Sequence, residues 1–435
     1  MLSVIQGNLQ VEIKLPPGWE LLPSRPLNKR PPLECVGVRR LTMDALLVPR
    51  GGEPLWQRVK PGRRVALVCD DATRHTPLKE MLPVILEQLE SLGVARHDID
   101  IVMGLGTHAP MTREQLEARL GGGILERYRV SQHDCHAKDL VPVGYLATGT
   151  QVCINPLVAR ASLSIGLGTI TPHPMNGFGG GPKIVFPAIA DYQAIREHHL
   201  AWTTHPGSTL GNLDDNVFYR EVLRVAELAR LDYALNCVFD LEDRVAAVLF
   251  GSVAEVHRRG AELSRRCCGL EFERPAQVTI VSAHPYREPL QLMKPLVAAS
   301  RVTKPGGTLI LLSQAIGGFP PFFKEVFQRV ERESGGEIKE FARRSFEQGR
   351  LLLEDAPIDL NCALFYALAC RNDYRVVVVD PGLDAASLEA VGFVPHARLD
   401  QALAEEARRL PRAEVNLMPV GSALPLLAQE AGQED

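Results

Sequence analysis

The sequence has no excess of positive charge: 48 Lys and Arg stand against 52 Asp and Glu, a net charge of −4. A nucleic-acid partner calls for a basic surface that neutralises phosphates, so none is expected. No run of about 18 apolar residues occurs, and no membrane-spanning helix is expected. Met1 to Lys14 lack an apolar core followed by a small-residue cleavage site, so the expected location is cytoplasmic. The nine cysteines are odd in number and include no Cys-x-x-Cys pair. That argues against both a disulfide framework and a structural zinc site. Also missing are the third glycine of a dinucleotide fingerprint and the Gly-Lys-Ser/Thr of a P-loop.

What is present is an ordinary globular composition, 46% hydrophobic over 435 residues, enough for two or three domains. Short β-branched runs each end in a turn or polar cluster. Arg64–Cys69 runs into Asp70-Asp71, Ile99–Met103 into Gly104–His108, and Leu163–Leu167 into Gly168–His173. Helical spacing covers Leu78–Leu92, and Thr112–Leu120 opens with a Thr-x-x-Gln cap pattern. Apolar strands alternating with helices predict an α/β fold with mainly parallel sheets, and ligands in such sheets bind beyond the strands' carboxyl ends. A second series follows: Val278–Val281, Thr308–Leu312 and Arg375–Val379, with helices between them. The expected division is an N-terminal cofactor-binding α/β domain over 1–270, possibly completed by 412–430, and a smaller C-terminal α/β domain over 271–411. Ala246–Leu270 reads as a helical link. An active-site cleft is expected between the domains.

Five clusters carry chemistry. Asp70–Pro77 follows a strand, and Arg74 offers a planar fork for a carboxylate or phosphate. The alternative is a capped helix start with a structural Asp–Arg pair. Gly104–Thr112 holds His108 in a turn, as base, ligand or bland turn residue. His133-Asp134-Cys135-His136 could chelate a metal, or simply form a polar loop. Thr169–Lys183 places His173 and Lys183 among glycines, where the backbone can approach a bulky ligand and a lone Lys can hold phosphate or form a covalent bond. In Arg196-Glu197-His198-His199 the two histidines face differently on a helix, and one could bind metal.

Taken in order, these motifs resemble the nickel-dependent lactate racemase family. Asp-Asp-x-Thr-Arg-x-Thr-Pro appears as Asp70–Pro77, Gly-Thr-His-x-Pro-Met-Thr as Gly106–Thr112, and Pro-His-x-x-x-Gly-Phe-x-Gly-Gly-x-Lys as Pro172–Lys183. His199 follows, and Gln-x-x-Lys appears as Gln291–Lys294. The resemblance implies a nickel pincer nucleotide, a pyridinium-3-thioamide-5-thiocarboxylic acid mononucleotide, tethered to Lys183 with its nickel on His199. It implies His108 and His173 as acid and base, and Arg74, Gln291 and Lys294 as substrate-binding residues. Asp71 would lie close to the cofactor or Arg74, and Gly179, Gly180 and Gly181 would suit the cofactor phosphate.

The implied activity is racemisation or epimerisation of a small-molecule 2-hydroxy acid by reversible hydride transfer through a 2-keto acid. The partners implied are enzymes that make the cofactor. Hydride transfer avoids the carbanion that proton abstraction beside a carboxylate would create, and two histidines suit a task with two faces. Leu290 stands where lactate-acting members carry Tyr, so a 2-hydroxy acid other than lactate is expected as the best substrate, a polar or acidic side chain being favoured. An apolar chain would pack on Leu290; a polar or acidic one would need His284 or Arg287 turned inward. Two rival classes are a zinc hydrolase built from His108, His133, His136 and His173, and a non-catalytic nucleotide-binding module.

Overall fold

A computed structural model describes residues 2–7, 9–27, 37–319 and 322–428. The chain forms two units. One takes Arg30–Asp240 and Arg244–Ser264; the other takes Met1–Lys29, Leu241–Asp243 and Arg265–Asp435.

The first unit is built on a six-stranded sheet. Its order is Val245–Gly251, Tyr233–Phe239, Leu163–Thr169, Val65–Asp70, Ile99–Gly104 and Arg129–Gln132. All neighbours run parallel except the first pair, which is an antiparallel hairpin. The inner strands are buried at every position, which explains their continuous apolar sequence. The Leu78–Ser91 helix packs Met81, Leu82, Ile85 and Leu89 into the core beside Leu67, Ile101 and Ile165. Thr112 caps the Arg113–Leu120 helix in a reciprocal capping box with Gln115, as its spacing predicts. From Val65–Asp70 the chain adds two strands on one side, then returns to add Leu163–Thr169 on the other. The order therefore reverses between Val65–Asp70 and Leu163–Thr169, the place where open parallel sheets bind ligands.

The second unit has an all-parallel six-stranded sheet: Val394–His396, Arg375–Val379, Thr303–Leu312, Ala276–Ser282, Ala413–Met418 and Trp19–Leu21. Two expectations are corrected here. The N-terminal segment does not join the domain that follows it. Trp19–Leu21 pairs with Ala413–Met418, and Trp19 is buried in the second core with Val278, Val377 and Val415. The 412–430 region likewise belongs to this unit, because its strand pairs with Ala276–Ser282. In the expected helical link, Val245–Gly251 is a strand, and the helix is Val253–Cys268.

The N-terminal hairpin, Ser3–Gln6 with Leu9–Glu12, covers carboxyl ends of this second sheet. Gln6 donates from Nε2 to the carbonyls of Ser313 (2.9 Å) and Val379 (3.1 Å), and Ser282 Oγ donates to the Ile5 carbonyl. Gly7 turns with φ +62°, and a Cβ there would lie 1.6 Å from Gln314 Oε1, so only glycine fits.

Eight of the cysteines are described and no disulfide joins any two of them; Cys35 lies outside the described residues. Among the described residues no helix is long and apolar enough to cross a membrane.

Candidate active site

Three of the motifs leave adjacent strands of the first sheet at their carboxyl ends, flanking the point where the order reverses. Asp71 follows Val65–Asp70 and is buried. Its Oδ2 lies 2.5 Å from His108 Nδ1, in the turn after Ile99–Gly104. Its Oδ1 accepts from the Thr73 amide (3.0 Å) and hydroxyl (2.5 Å). Burial opposes ionisation of Asp71, yet His108, Arg74 and the Thr73 hydroxyl outweigh it and hold the carboxyl well below its ordinary value. Arg74 Nη1 in turn donates to Thr73 Oγ1 at 2.6 Å. Asp71, Thr73, Arg74 and His108 therefore form one hydrogen-bonded chain. The resemblance placed Asp71 near the cofactor or Arg74; its carboxylate here is engaged by His108 and Thr73.

The neighbouring Asp70 does a different job. Arg119 binds its Oδ1, and Thr76 Oγ1, itself 2.5 Å from Thr169 Oγ1, binds its Oδ2 at 2.5 Å. A structural Asp–Arg pair is thus present, but its arginine comes from the Arg113–Leu120 helix. Nothing in the local motif signals that partner.

The loop after Leu163–Thr169 returns as a short hairpin, Pro172–His173 with Gly177–Phe178, and continues into the one-turn helix Gly181–Ile184 that carries Lys183. Buried His173 accepts at Nδ1 from the amides of Met175 (3.3 Å) and Asn176 (3.2 Å). Lys183 Nζ sits 5.6 Å from the centre of the Phe218 ring, and its charge is felt by His198, His199 and His257.

Two of the three glycines have roles inside the protein. Gly180, at φ +70°, would place a Cβ 2.7 Å from the Thr169 carbonyl; Gly181, at φ +51°, would drive one to 2.5 Å from the His257 ring. At Gly179 the nearest atom would be 3.6 Å away, ordinary contact. The Gly179 amide donates to the Thr171 carbonyl (2.7 Å), and the Gly181 amide to Asn236 Oδ1 (2.8 Å). Those two amides, expected to suit a phosphate, are spent within the protein, one on the loop and one on the strand Tyr233–Phe239.

His199 lies on the Tyr192–Trp202 helix, which Asp191 caps. It is buried, and its Nδ1 donates to the Ile195 carbonyl one turn back (2.8 Å). Burial, with His198 and Lys183 nearby, pushes its pKa well below the ordinary value, so the ring is neutral and Nε2 carries the lone pair. His198 faces elsewhere, 3.1 Å from the Phe218 carbonyl through Nε2, and burial holds it at about 3.

Sequence reasoning missed His257, on the Val253–Cys268 helix. Buried beneath the loop, it contacts the Gly179 carbonyl through Nε2 (3.1 Å) and Tyr219 Oη through Nδ1 (3.2 Å). His133 is structural: Nε2 donates to the Ala190 carbonyl (2.9 Å) and Nδ1 faces Asn155 (3.5 Å). His136 packs against Tyr192, with ring centres 4.9 Å apart. Among the described residues no three His, Cys, Asp or Glu side chains gather as a metal site, so the four-histidine zinc centre is not assembled.

In the second unit the Gln-x-x-Lys segment follows Ala276–Ser282. Gln291 lies in the turn Pro289–Leu292, with a buried Oε1 that has no hydrogen-bond partner. Lys294 opens the Met293–Ser300 helix, its Nζ 5.1 Å from the centre of the buried Tyr286 ring. Arg287 Nε is likewise buried and unpartnered. Both ring nitrogens of His284 are engaged, Nδ1 3.0 Å from the Gly7 carbonyl of the N-terminal hairpin and Nε2 3.0 Å from Asp243 Oδ2.

Comparison with known proteins places this arrangement. Residues 7–211 match the lactate racemase N-terminal domain. Over that stretch the chain is similar to lactate racemases. It is 26% identical to the lactate racemase of Thermoanaerobacterium thermosaccharolyticum over 291 residues, 65% of this chain and 68% of that one. It is 27% identical to the lactate racemase of Lactiplantibacillus plantarum over 274 residues, 62% of this chain and 64% of that one. The match thus spans about two thirds of each relative. In fold the chain is similar to the lactate racemase apoprotein of T. thermosaccharolyticum, with a TM-score of 0.80 at 21% identity, over 98% of this chain and 99% of that one. It is also similar to a Thermotoga maritima protein of known structure, with a TM-score of 0.67 at 16% identity, over 89% and 97%.

The likeness to lactate racemases points to a nickel pincer nucleotide. The residues fit one. A metal-binding imidazole must be neutral, with its second nitrogen fixed by a donor bond, and His199 meets both conditions. The amine that would tether the nucleotide, Lys183, lies within electrostatic reach of that ring.

Proposed function

We propose that this protein racemises or epimerises a 2-hydroxy acid by reversible hydride transfer, with a nickel pincer nucleotide tethered to Lys183 and its nickel held by His199. What supports this reading is that one unit carries both arrangements: Asp71 behind His108 after neighbouring strands of its sheet, and a neutral, donor-fixed His199 within electrostatic reach of Lys183. When bound, the cofactor supplies an acceptor for the α-hydrogen as hydride.

The chain's own residues do the rest. Arg74, Gln291 and Lys294 hold the substrate, the two cations matching its carboxylate. His108, turned by Asp71, takes the hydroxyl proton at Nε2, and Asp71 stabilises the imidazolium that forms. His173 serves the substrate oxygen from its own strand end. The resulting 2-keto acid is planar, so hydride can return to either face.

Zinc hydrolysis is disfavoured, because His133 is committed to Ala190 and Asn155. A binding module has no need of a carboxylate behind an imidazole.

Expression alongside cofactor-making enzymes, followed by intact-protein mass, tests the proposal. It expects one added nucleotide on Lys183 and loss of optical activity from at least one of lactate, malate, a branched 2-hydroxy acid or a sugar acid. A protein that gains no mass and binds zinc instead of nickel would refute it.

A further inference from the structure

The helix Val217–Leu228 begins against several parts of the candidate site. Asn216 caps it: its Oδ1 accepts from the Tyr219 amide (2.9 Å), while Nδ2 donates to the carbonyls of Met175 (2.8 Å) and Asn212 (3.0 Å). The Tyr219 ring stacks on that of His257, with centres 5.0 Å apart, and His257 reaches the Gly179 carbonyl. Between Asn216 and Tyr219 stands Phe218, wholly buried. Its carbonyl only accepts, so His198 donates to it through Nε2 (3.1 Å).

Three groups surround the Phe218 ring. Lys183 Nζ lies 5.6 Å from its centre. The His199 ring meets it edge to face, at 5.0 Å and 86°, and the His198 ring does so at 4.2 Å and 70°. The two histidines are neighbours on the helix Tyr192–Trp202, and Lys183 belongs to the separate turn Gly181–Ile184. An ammonium within about 6 Å of a ring centre is drawn to the ring, which restrains the amine of Lys183. Edge-to-face contact favours one tilt between two rings. Together with the bond from Nδ1 to the Ile195 carbonyl, that contact fixes the plane of His199 and so the direction of its Nε2 lone pair.

We propose that Phe218 is a positioning residue of the cofactor site: one ring sets the Lys183 amine and the His199 imidazole relative to each other. This rests on the function proposed above. A group joined covalently to Lys183 and through its metal to His199 is held at two points, so the separation and orientation of those points govern where its reacting atoms come to rest. Such a pair needs support from a side chain that is itself locked by packing. Phe218 touches both members, and the cap, the His198 bond and full burial hold it in turn. A leucine would fill much of the same space but offers neither a ring face nor a ring edge.

Nuclear magnetic resonance of the cofactor-free full chain, labelled with 13C at the lysine ε-carbons, reads the amine's position. Lys183→Arg assigns the signal by its loss. A methylene held beside an aromatic ring shows a ring-current shift and two resolved protons. That signature is expected in the wild type and in Phe250→Leu, a control that loses another fully buried ring of the same unit, stacked on Tyr233. Phe218→Leu should return the signal to the ordinary lysine position with its two protons merged. An ordinary, merged signal in the wild type, or an unchanged one in Phe218→Leu, overturns the proposal. Phe218→Met replaces the leucine variant if that chain does not fold, since its adaptable side chain fills irregular gaps.

The same variants, loaded with cofactor, give a second reading. For each nickel-bearing chain, Phe218→Leu should lose roughly 10- to 100-fold in kcat with KM unchanged, and Phe250→Leu should keep both. Equal losses in the two variants would mean packing alone and would overturn the proposal. The lysine signal is read without cofactor or substrate, so its failure and that of the functional reading are told apart.

Discussion

The carboxyl ends of the two parallel sheets, alike in architecture, are used in opposite ways. In the first unit three adjacent strands end in Asp71, His108 and His173, with Lys183 and His199 following. In the second unit the corresponding ends of Ala276–Ser282, Thr303–Leu312 and Arg375–Val379 are engaged by the chain's own hairpin through Ile5, Gln6 and Gly7. What is left there is one corner, with Gln291, Lys294 and Tyr286. The rule that ligands sit beyond strand ends marks an opportunity, and the side chains at each end decide whether it is taken.

The sharpest way to break this contrast is Lys183→Ala. It is expected to abolish both the covalent adduct and turnover while the protein still folds and unfolds cooperatively. An unchanged mass and full activity would remove the first unit's claim to the cofactor. Next is Asp71→Asn, which keeps the shape and removes the charge behind His108. Turnover should fall about 10²- to 10⁴-fold with nickel content unchanged. Loss of nickel in step with activity would show Asp71 serving the cofactor instead.

The third prediction concerns acid. Every buried histidine among the described residues lies in the first unit. Burial pushes His133 and His199 down and holds His198 at about 3 and His257 at about 4. These rings stay neutral when folded but take protons in the unfolded chain below its ordinary value of about 6.5. The unfolded state then binds more protons, so stability falls as pH drops from about 6.5 toward 4, by about 1.4 kcal/mol per pH unit for each such ring. Asp71 acts lower still: its contribution is present above the unfolded carboxyl's value and lost as pH falls through its depressed folded one. Hydrogen exchange at pH 7 and 5 should show protection of Val65–Asp70 falling more than that of Thr303–Leu312; equal loss would contradict it.

The smallest effect is expected in the second unit. Gln6→Ala removes two hydrogen bonds to sheet-end carbonyls and should cost about 1–3 kcal/mol in denaturant unfolding with turnover unchanged. Lost turnover at full stability would mean that the hairpin end is functional after all.

Short-range features were legible in the sequence. The inner strands, the Thr112–Gln115 capping box and the polar clusters at strand ends follow from local pattern. Partners brought together across strands were not. That Asp71 meets His108, and that Asp70 takes Arg119 and not Arg74, depends on the register of neighbouring strands. His257 carries no local signal, being a single histidine on an amphipathic helix far along the chain from the glycines it supports. Val245–Gly251 misled because an apolar run before a helix reads as part of that helix until its hairpin partner Tyr233–Phe239 is recognised.

The pairing of Trp19–Leu21 with Ala413–Met418 also bears on how the protein is made. The first unit draws on a nearly continuous stretch, Arg30–Asp240 with Arg244–Ser264, and can close its sheet as that stretch leaves the ribosome. The second unit cannot. Trp19–Leu21 must wait, unpaired, until a strand almost four hundred residues downstream has been synthesised. A ribosome stalled before Ala413 would therefore display a folded first unit and a second sheet that lacks a strand.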